Sequence, residues 1–330
     1  MNGGNDMNNG VKTGTVVAIV CWSVVALLLI GILVSALTGG WFKGFGFNII
    51  DFGTGEYSVM GKYEVDAADV DTIEINWTSG RAEIEPYSGE KITFEESARR
   101  ELEDQYKLAY ELSGSTLKIR YIKSVISWNV PSKRLAVKVP QELAKKLSGF
   151  TVDSTSADVT VTGLTAQKAR LHTVSGEADA TQCDFGELRL ESTSGDLQTE
   201  NLTVEKAEAS STSGEINLSG RFTEIKANTT SGDVRANVKG MKYFTGGSVS
   251  GKLEVESDTF PQQVEMSTTS GNVSLTIPEG EGFTANFSSV SGKLRCDFPV
   301  VNQGDESIYN NGAVKIKMNT VSGDGHIIKK

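Results

Sequence analysis

The dipeptide Ser-Gly returns at a nearly fixed interval, and that interval limits what this chain can fold into. The copies that keep this interval are Ser79-Gly80, Ser175-Gly176, Ser194-Gly195, Ser213-Gly214, Ser231-Gly232, Ser250-Gly251, Ser270-Gly271, Ser291-Gly292 and Ser322-Gly323, with Ser156-Ala157 as a degenerate copy. From Ala157 onward the spacings are 19, 19, 19, 18, 19, 20, 21 and 31 residues. Self-similarity of this length marks a repeat architecture, in which each unit buries its apolar face against the next.

The columns flanking the glycine show what each unit is. Seven residues before it every copy is apolar, as in Phe150, Ala169, Leu188, Ala207, Ile225 and Phe244, and five before it come Val152, Leu171, Leu190 and Ala209. Two and four after it the pattern resumes, as in Val159/Val161, Ile216/Leu218 and Leu253/Val255. The residues between are polar, which is the two-residue period of a half-buried strand. Each repeat therefore reads as strand, Ser-Gly corner, strand. Two architectures fit: a β-solenoid of stacked coils, or a meander in which Ser-Gly is a hairpin turn. Ser or Thr recurs three residues before Gly, and Thr or Val two before. That narrowness favours stacked ladders over isolated hairpins.

Charge and length bound the rest. The 330-residue chain carries a net charge of −10 and a pI near 4.9, which argues against a nucleic-acid partner. Residues 1–14 are rich in Gly and Asn and read as disordered. Residues 15–37 hold no charge and are long enough to cross ~30 Å of hydrocarbon as a single helix. A cleaved signal peptide ending at Val34-Ser35-Ala36 competes with that reading, but its apolar core would be long and its leading charge weak. Residues 38–63 read as a juxtamembrane spacer, 64–150 as an irregular β capping region and 151–330 as the regular β-repeat region. Within the cap, Ser97–Leu112 suits a helix or a charged hairpin, and Gln141–Leu147 one helical turn. Pro299–Gly312 reads as a polar loop inserted in the last repeat. Cys183 and Cys296 lie six corners apart, ~29 Å in a stack of strands, too far for a disulfide.

The uncharged segment, the strand closing at Val139-Pro140 and the reiterated Thr-Ser-Gly-Asp/Glu and Val-Ser-Gly-Lys corners resemble the DUF4097 family. These bacterial β-strand-repeat proteins are also called toastrack-domain proteins or candidate adhesins. The resemblance spans about residues 65–328. It implies an elongated all-β domain on the outer face of the membrane, a part in envelope sensing or stress signalling, and small membrane partners. It brings no catalytic residues.

The residue after the corner is acidic in five successive repeats: Asp158, Glu177, Asp196, Glu215 and Asp233. In a stack these carboxylates would stand ~4.8 Å apart and repel by ~1 kcal/mol even in a water-like dielectric. The row is either a set of solvated turn residues, screened by Arg170, Arg189 and Lys226, or a site for Ca²⁺ or a basic partner. His172 and His326 occupy different repeats, and the hydrolase and nucleotide motifs are missing from the sequence. The expectation is an all-β, solenoid-like repeat domain behind one membrane helix, with no cofactor. It binds or supports an envelope partner outside the cell and is not an enzyme. The competing class is a carbohydrate-active β-helix enzyme, which would need long loops and sugar-stacking aromatics around such acids.

Overall fold

The computed structural model describes residues 56–122 and 131–330. The disordered tail (1–14), the membrane helix (15–37) and most of the spacer (38–63) expected from the sequence lie outside these residues. Among the described residues no helix is long and apolar enough to cross a membrane.

Each repeat forms one coil, and neighbouring coils pair in parallel with like residues opposite. Phe150 faces Ala169, Ala169 faces Leu188, Leu188 faces Ala207 and Ala207 faces Ile225. After the corner the same holds for Val159, Ala178, Leu197 and Ile216. A meander would place consecutive strands antiparallel, so the hairpin alternative is excluded. Both arms turn their apolar columns inward, and Ile73, Phe150, Leu171, Leu190, Leu197, Phe244 and Val264 are buried in one continuous core. Each large side chain so buried contributes about 1.5–3 kcal/mol, which is what drives one coil onto the next.

Coils are named here by the residue at their corner. Their order in space is Lys133, Gly80, Ala157, Gly176, Gly195, Gly214, Gly232, Gly251, Gly271, Gly323, Gly292. The order departs from the sequence at both ends. Strand Thr72–Tyr87 of the Gly80 coil lies between strand Leu147–Thr162 and a coil made of Thr116–Arg120 and Lys133–Pro140. At the other end Val314–Asn319 lies between Gln263–Ser270 and Gly282–Ser288. The last coil of the sequence is therefore one place in from the end of the stack.

Antiparallel strands close the two ends. Lys91–Ala98 pairs with Lys133–Pro140 and carries Ser58–Asp66 on its far side, while Ala109–Ser113 pairs with Thr116–Arg120. The stretch Ser97–Leu112 thus holds a strand end, a 3-10 turn at Asp104–Tyr106 and part of a hairpin, not an α-helix. Of the helix and the charged hairpin that the sequence allows there, the hairpin is the one in part formed, and Leu102 and Leu108 are buried in the core. The short helix after Pro140 is present at Gln141–Ala144. Pro299–Gly312 is not a plain loop, because Val301–Gln303 and Glu306–Asn310 form a hairpin that pairs antiparallel with Gly282–Ser288. There Phe283, Phe298 and Tyr309 pack their rings together and seal the core.

Candidate functional site

The corner is built from a hydroxyl side chain and the glycine, and the side chain of the Ser-Gly serine takes no part. Ser175, Ser194, Ser213 and Ser231 are exposed. The hydroxyl three residues before the glycine does the bonding. Thr173, Ser192 and Ser211 accept the N–H of Gly176, Gly195 and Gly214 at 2.9, 2.7 and 2.8 Å. Ser248, Thr268 and Thr320 instead donate to the corner carbonyl of the preceding coil, at 3.1, 3.0 and 3.1 Å. The glycine is required by close approach. A Cβ on Gly195 would fall 1.8 Å from the carbonyl oxygen of Gly176, and one on Gly214 2.1 Å from that of Gly195. At Ala157 strand Leu147–Thr162 continues unbroken through the corner, and the Ala157 N–H bonds the Ser154 hydroxyl at 2.9 Å as the glycine N–H groups do.

The acidic residues after the corner do form one row, since their neighbours pair in register. The aspartates have a defined task. Asp158, Asp196 and Asp233 accept the backbone N–H of Glu177, Glu215 and Lys252 in the next coil, at 3.2, 2.8 and 2.8 Å. Asn272 and Asp324 continue the ladder, onto Asp324 and Lys293, at 2.9 Å each. Arg235 takes Glu215 and Asp233 at 2.6 Å each and Glu254 at 3.4 Å, and Arg81 stands 4.0 Å from Asp158. Although burial works against the Arg235 charge, those carboxylates hold its proton more tightly than usual. Between the two arginines Asp179 has its carboxyl raised above the ordinary range, first by burial and then by Glu177 and Asp158. Among the described residues no group of three or more His, Cys, Asp or Glu is arranged to hold a metal ion.

The arms before the corners carry a second charged face. Arg170 bonds Glu191 at 2.9 Å and also Asp153, and Arg189 reaches Glu191 at 2.7 Å. Burial pushes the Glu191 carboxyl up, but the hydrogen bonds from Arg189 and Arg170 outweigh it and leave it low. Lys226–Glu208 at 2.8 Å and Lys317–Glu265 at 2.9 Å repeat the device in other coils. A shallow groove crosses this face beside Lys168, Arg170, Glu187, Arg189, Glu208 and Lys226. His172 lies 3.3 Å from Asp153, and His326 the same distance from Asp297 in a different coil. Cys183 and Cys296 are both free thiols; Cys183 is buried, and Cys296, in the end coil, is half-buried and packs against the core.

One cluster was not anticipated from the sequence. Lys133 takes the corner position opposite Gly80 and, with Glu96, is completely buried. Their signal is present but faint: Ser132-Lys133 stands where Ser-Gly would, with Leu135 and Val137 two and four residues on. An insertion between Ile119 and Lys133 hides the repeat, since the pairing of Ile75 with Ile119 and of Gly80 with Lys133 spans 5 residues on one side and 14 on the other.

The sequence pattern of the family described as Toastrack DUF4097 matches residues 70–246 and 244–327. Among solved structures, a candidate adhesin from Parabacteroides distasonis is 16% identical with a TM-score of 0.55, covering 84% of this chain and 98% of its own. A candidate lipid-binding protein from the same organism is 15% identical with a TM-score of 0.52, over 84% and 98% of the two chains. At such identities the likeness concerns the fold. No curated protein matches. The family pattern covers the coils from the Gly80 copy to the final Ser-Gly, and the chain belongs to the Toastrack DUF4097 family.

Proposed function

We propose that this protein is a non-enzymatic binding or structural element of the bacterial envelope. Residues 15–37 hold it in the membrane as a single helix, and the coil stack is displayed outside the cell. The observation that carries this reading is how the outward charges are used. The aspartates of the corner row bond backbone amides of the next coil. Arg170, Lys226 and Arg235 are engaged with carboxylates across coils. Such side chains set register and stiffness, which suits a display surface more than a reacting centre. The partner is an envelope or membrane protein that meets the outer faces, and the stack supports envelope sensing or adhesion.

Protease shaving of intact cells tests the topology: the repeat region is cut away, and its protection would refute surface display. Capture of the membrane complex with the full chain, compared with a Glu177→Lys, Asp196→Lys variant, tests the partner surface. A polysaccharide-cleavage screen tests the absence of catalysis, and cleavage abolished by Asp196→Asn would overturn the reading.

A further inference from the structure

The buried pair at the Lys133 corner has the layout of two reactants. Lys133 and Glu96 have no exposed side-chain surface, and Nζ lies 2.5 Å from Oε1 of Glu96. Nζ also donates to the carbonyl of Tyr106 at 2.8 Å and to that of Tyr121. The Tyr121 and Trp77 rings stand 3.9 and 5.0 Å from it, centroid to nitrogen. Across the pair, the Leu108 N–H reaches both carboxylate oxygens, at 3.0 and 3.2 Å. A buried ion pair contributes little stability over apolar residues of similar volume, and the corresponding corner of the other coils holds Gly or Ala.

We propose that Lys133 and Glu96 condense to an intramolecular isopeptide bond. One proton passes from the Lys133 ammonium to Glu96, giving a neutral amine and a carboxylic acid. The nitrogen lone pair forms a bond to Glu96 Cδ, and the carbon–hydroxyl bond breaks. The hydroxyl leaves as water with a second proton from the nitrogen. Ammonium plus carboxylate thus becomes one secondary amide and one water, with no oxidant or cofactor. In the attacking state the carbonyls of Tyr106 and Tyr121 hold two amine hydrogens and so aim the lone pair at the acid. The Leu108 N–H stabilises the oxyanion that forms on the carbon, the role preorganised backbone donors play in acyl transfer. Holding both groups in contact removes most of the entropic barrier. Burial lowers the hold of Lys133 on its proton, against the opposing pull of Glu96, which favours the amine. The product ties strand Lys91–Ala98 to the first corner and closes the end of the stack covalently.

Peptide mapping of the purified full chain by mass spectrometry, with its intact mass, decides the matter. The expected result is a protein one water lighter than its sequence and a branched peptide holding Glu96 and Lys133. Lys133→Arg keeps the charge but not the nucleophile, and is expected at full sequence mass with linear peptides. Wild-type protein at full mass, with Glu96 and Lys133 in separate peptides, overturns the proposal. So does a water loss that persists in Lys133→Arg.

Discussion

Replacing Gly195 with alanine tests whether the repeated glycine is there for space or for backbone freedom. The new methyl would sit 1.8 Å from the Gly176 oxygen and 2.6 Å from its carbonyl carbon. Ordinary carbon contacts begin near ~3.5 Å, so the two coils would have to part by more than ~1 Å. At risk are the bonds from the Ser194 N–H to Val174 at 2.9 Å and from the Ala178 N–H to Asp196 at 3.0 Å. Stretched that far, neither remains a hydrogen bond. Each is worth about 1 kcal/mol and leaves partly buried groups unpaired, so the substitution costs about 3 kcal/mol. Gly114 is the control, with φ +60° and nothing within 4 Å of an added methyl. Its replacement by alanine costs about 1 kcal/mol, from backbone strain alone. Urea unfolding of the two variants and the wild type compares them. In a stack held by neighbour contacts the Gly195→Ala lesion also separates unfolding into two transitions. A Gly195→Ala protein no less stable than Gly114→Ala would refute the close-approach argument.

Asp196→Ala is expected to cost about 1 kcal/mol, because the Glu215 N–H loses its acceptor, whereas Asp196→Asn keeps the stability, as Asn272 does natively for Asp324; thermal melts separate the two. Asp179 has a folded pKa above its unfolded one, so it takes up its proton earlier in the folded state. Stability therefore falls as pH rises through that window, and Asp179→Asn raises the melting temperature at pH 7 but not below pH ~3. Glu191 behaves oppositely. Its depressed pKa contributes stability above the unfolded value and loses it as pH falls through the folded one. Glu191→Gln thus lowers the melting temperature at pH 7 and has a smaller effect in acid. Truncation after Gly312 removes an interior coil, and limited proteolysis is expected to cut rapidly within residues 282–312 while leaving the coils before Gly232 intact.

Most of the repeat was legible because a strand alternation has period two and the corner recurs at fixed distance. Leu171, Leu190 and Val159 were placed inward by the pattern alone, and they are inward. The acidic row was also legible as a row, but its use was not. That Asp196 bonds a backbone amide in the next coil follows from the height of the step between coils, which composition does not carry. Register order at the ends was illegible for a different reason. Local sequence says that Val314–Asn319 is a strand of the repeat, yet its place beside Gln263–Ser270 depends on the Glu306–Asn310 hairpin covering Gly282–Ser288. Glu96 and Lys133 were hidden because each looks like an ordinary surface charge until the chain between Ile119 and Lys133 is recognised as an insertion.

The exchanged order at the carboxyl end bears on how the protein is made. The Gly292 coil leaves the ribosome before the coil it stacks on, because Ser270 pairs with Ser322 and Gly323 in turn faces Gly292. Synthesis from the amino end can lay down coils one by one as far as Gly271, and then must wait. Until residues 313–330 emerge, the growing edge of Gln263–Ser270 stays open and the aromatic plug of Phe283, Phe298 and Tyr309 has no seat. Residues 313–330 act as a keystone, so a chain ended before them differs from one that contains them by an exposed strand edge that proteases and chaperones recognise.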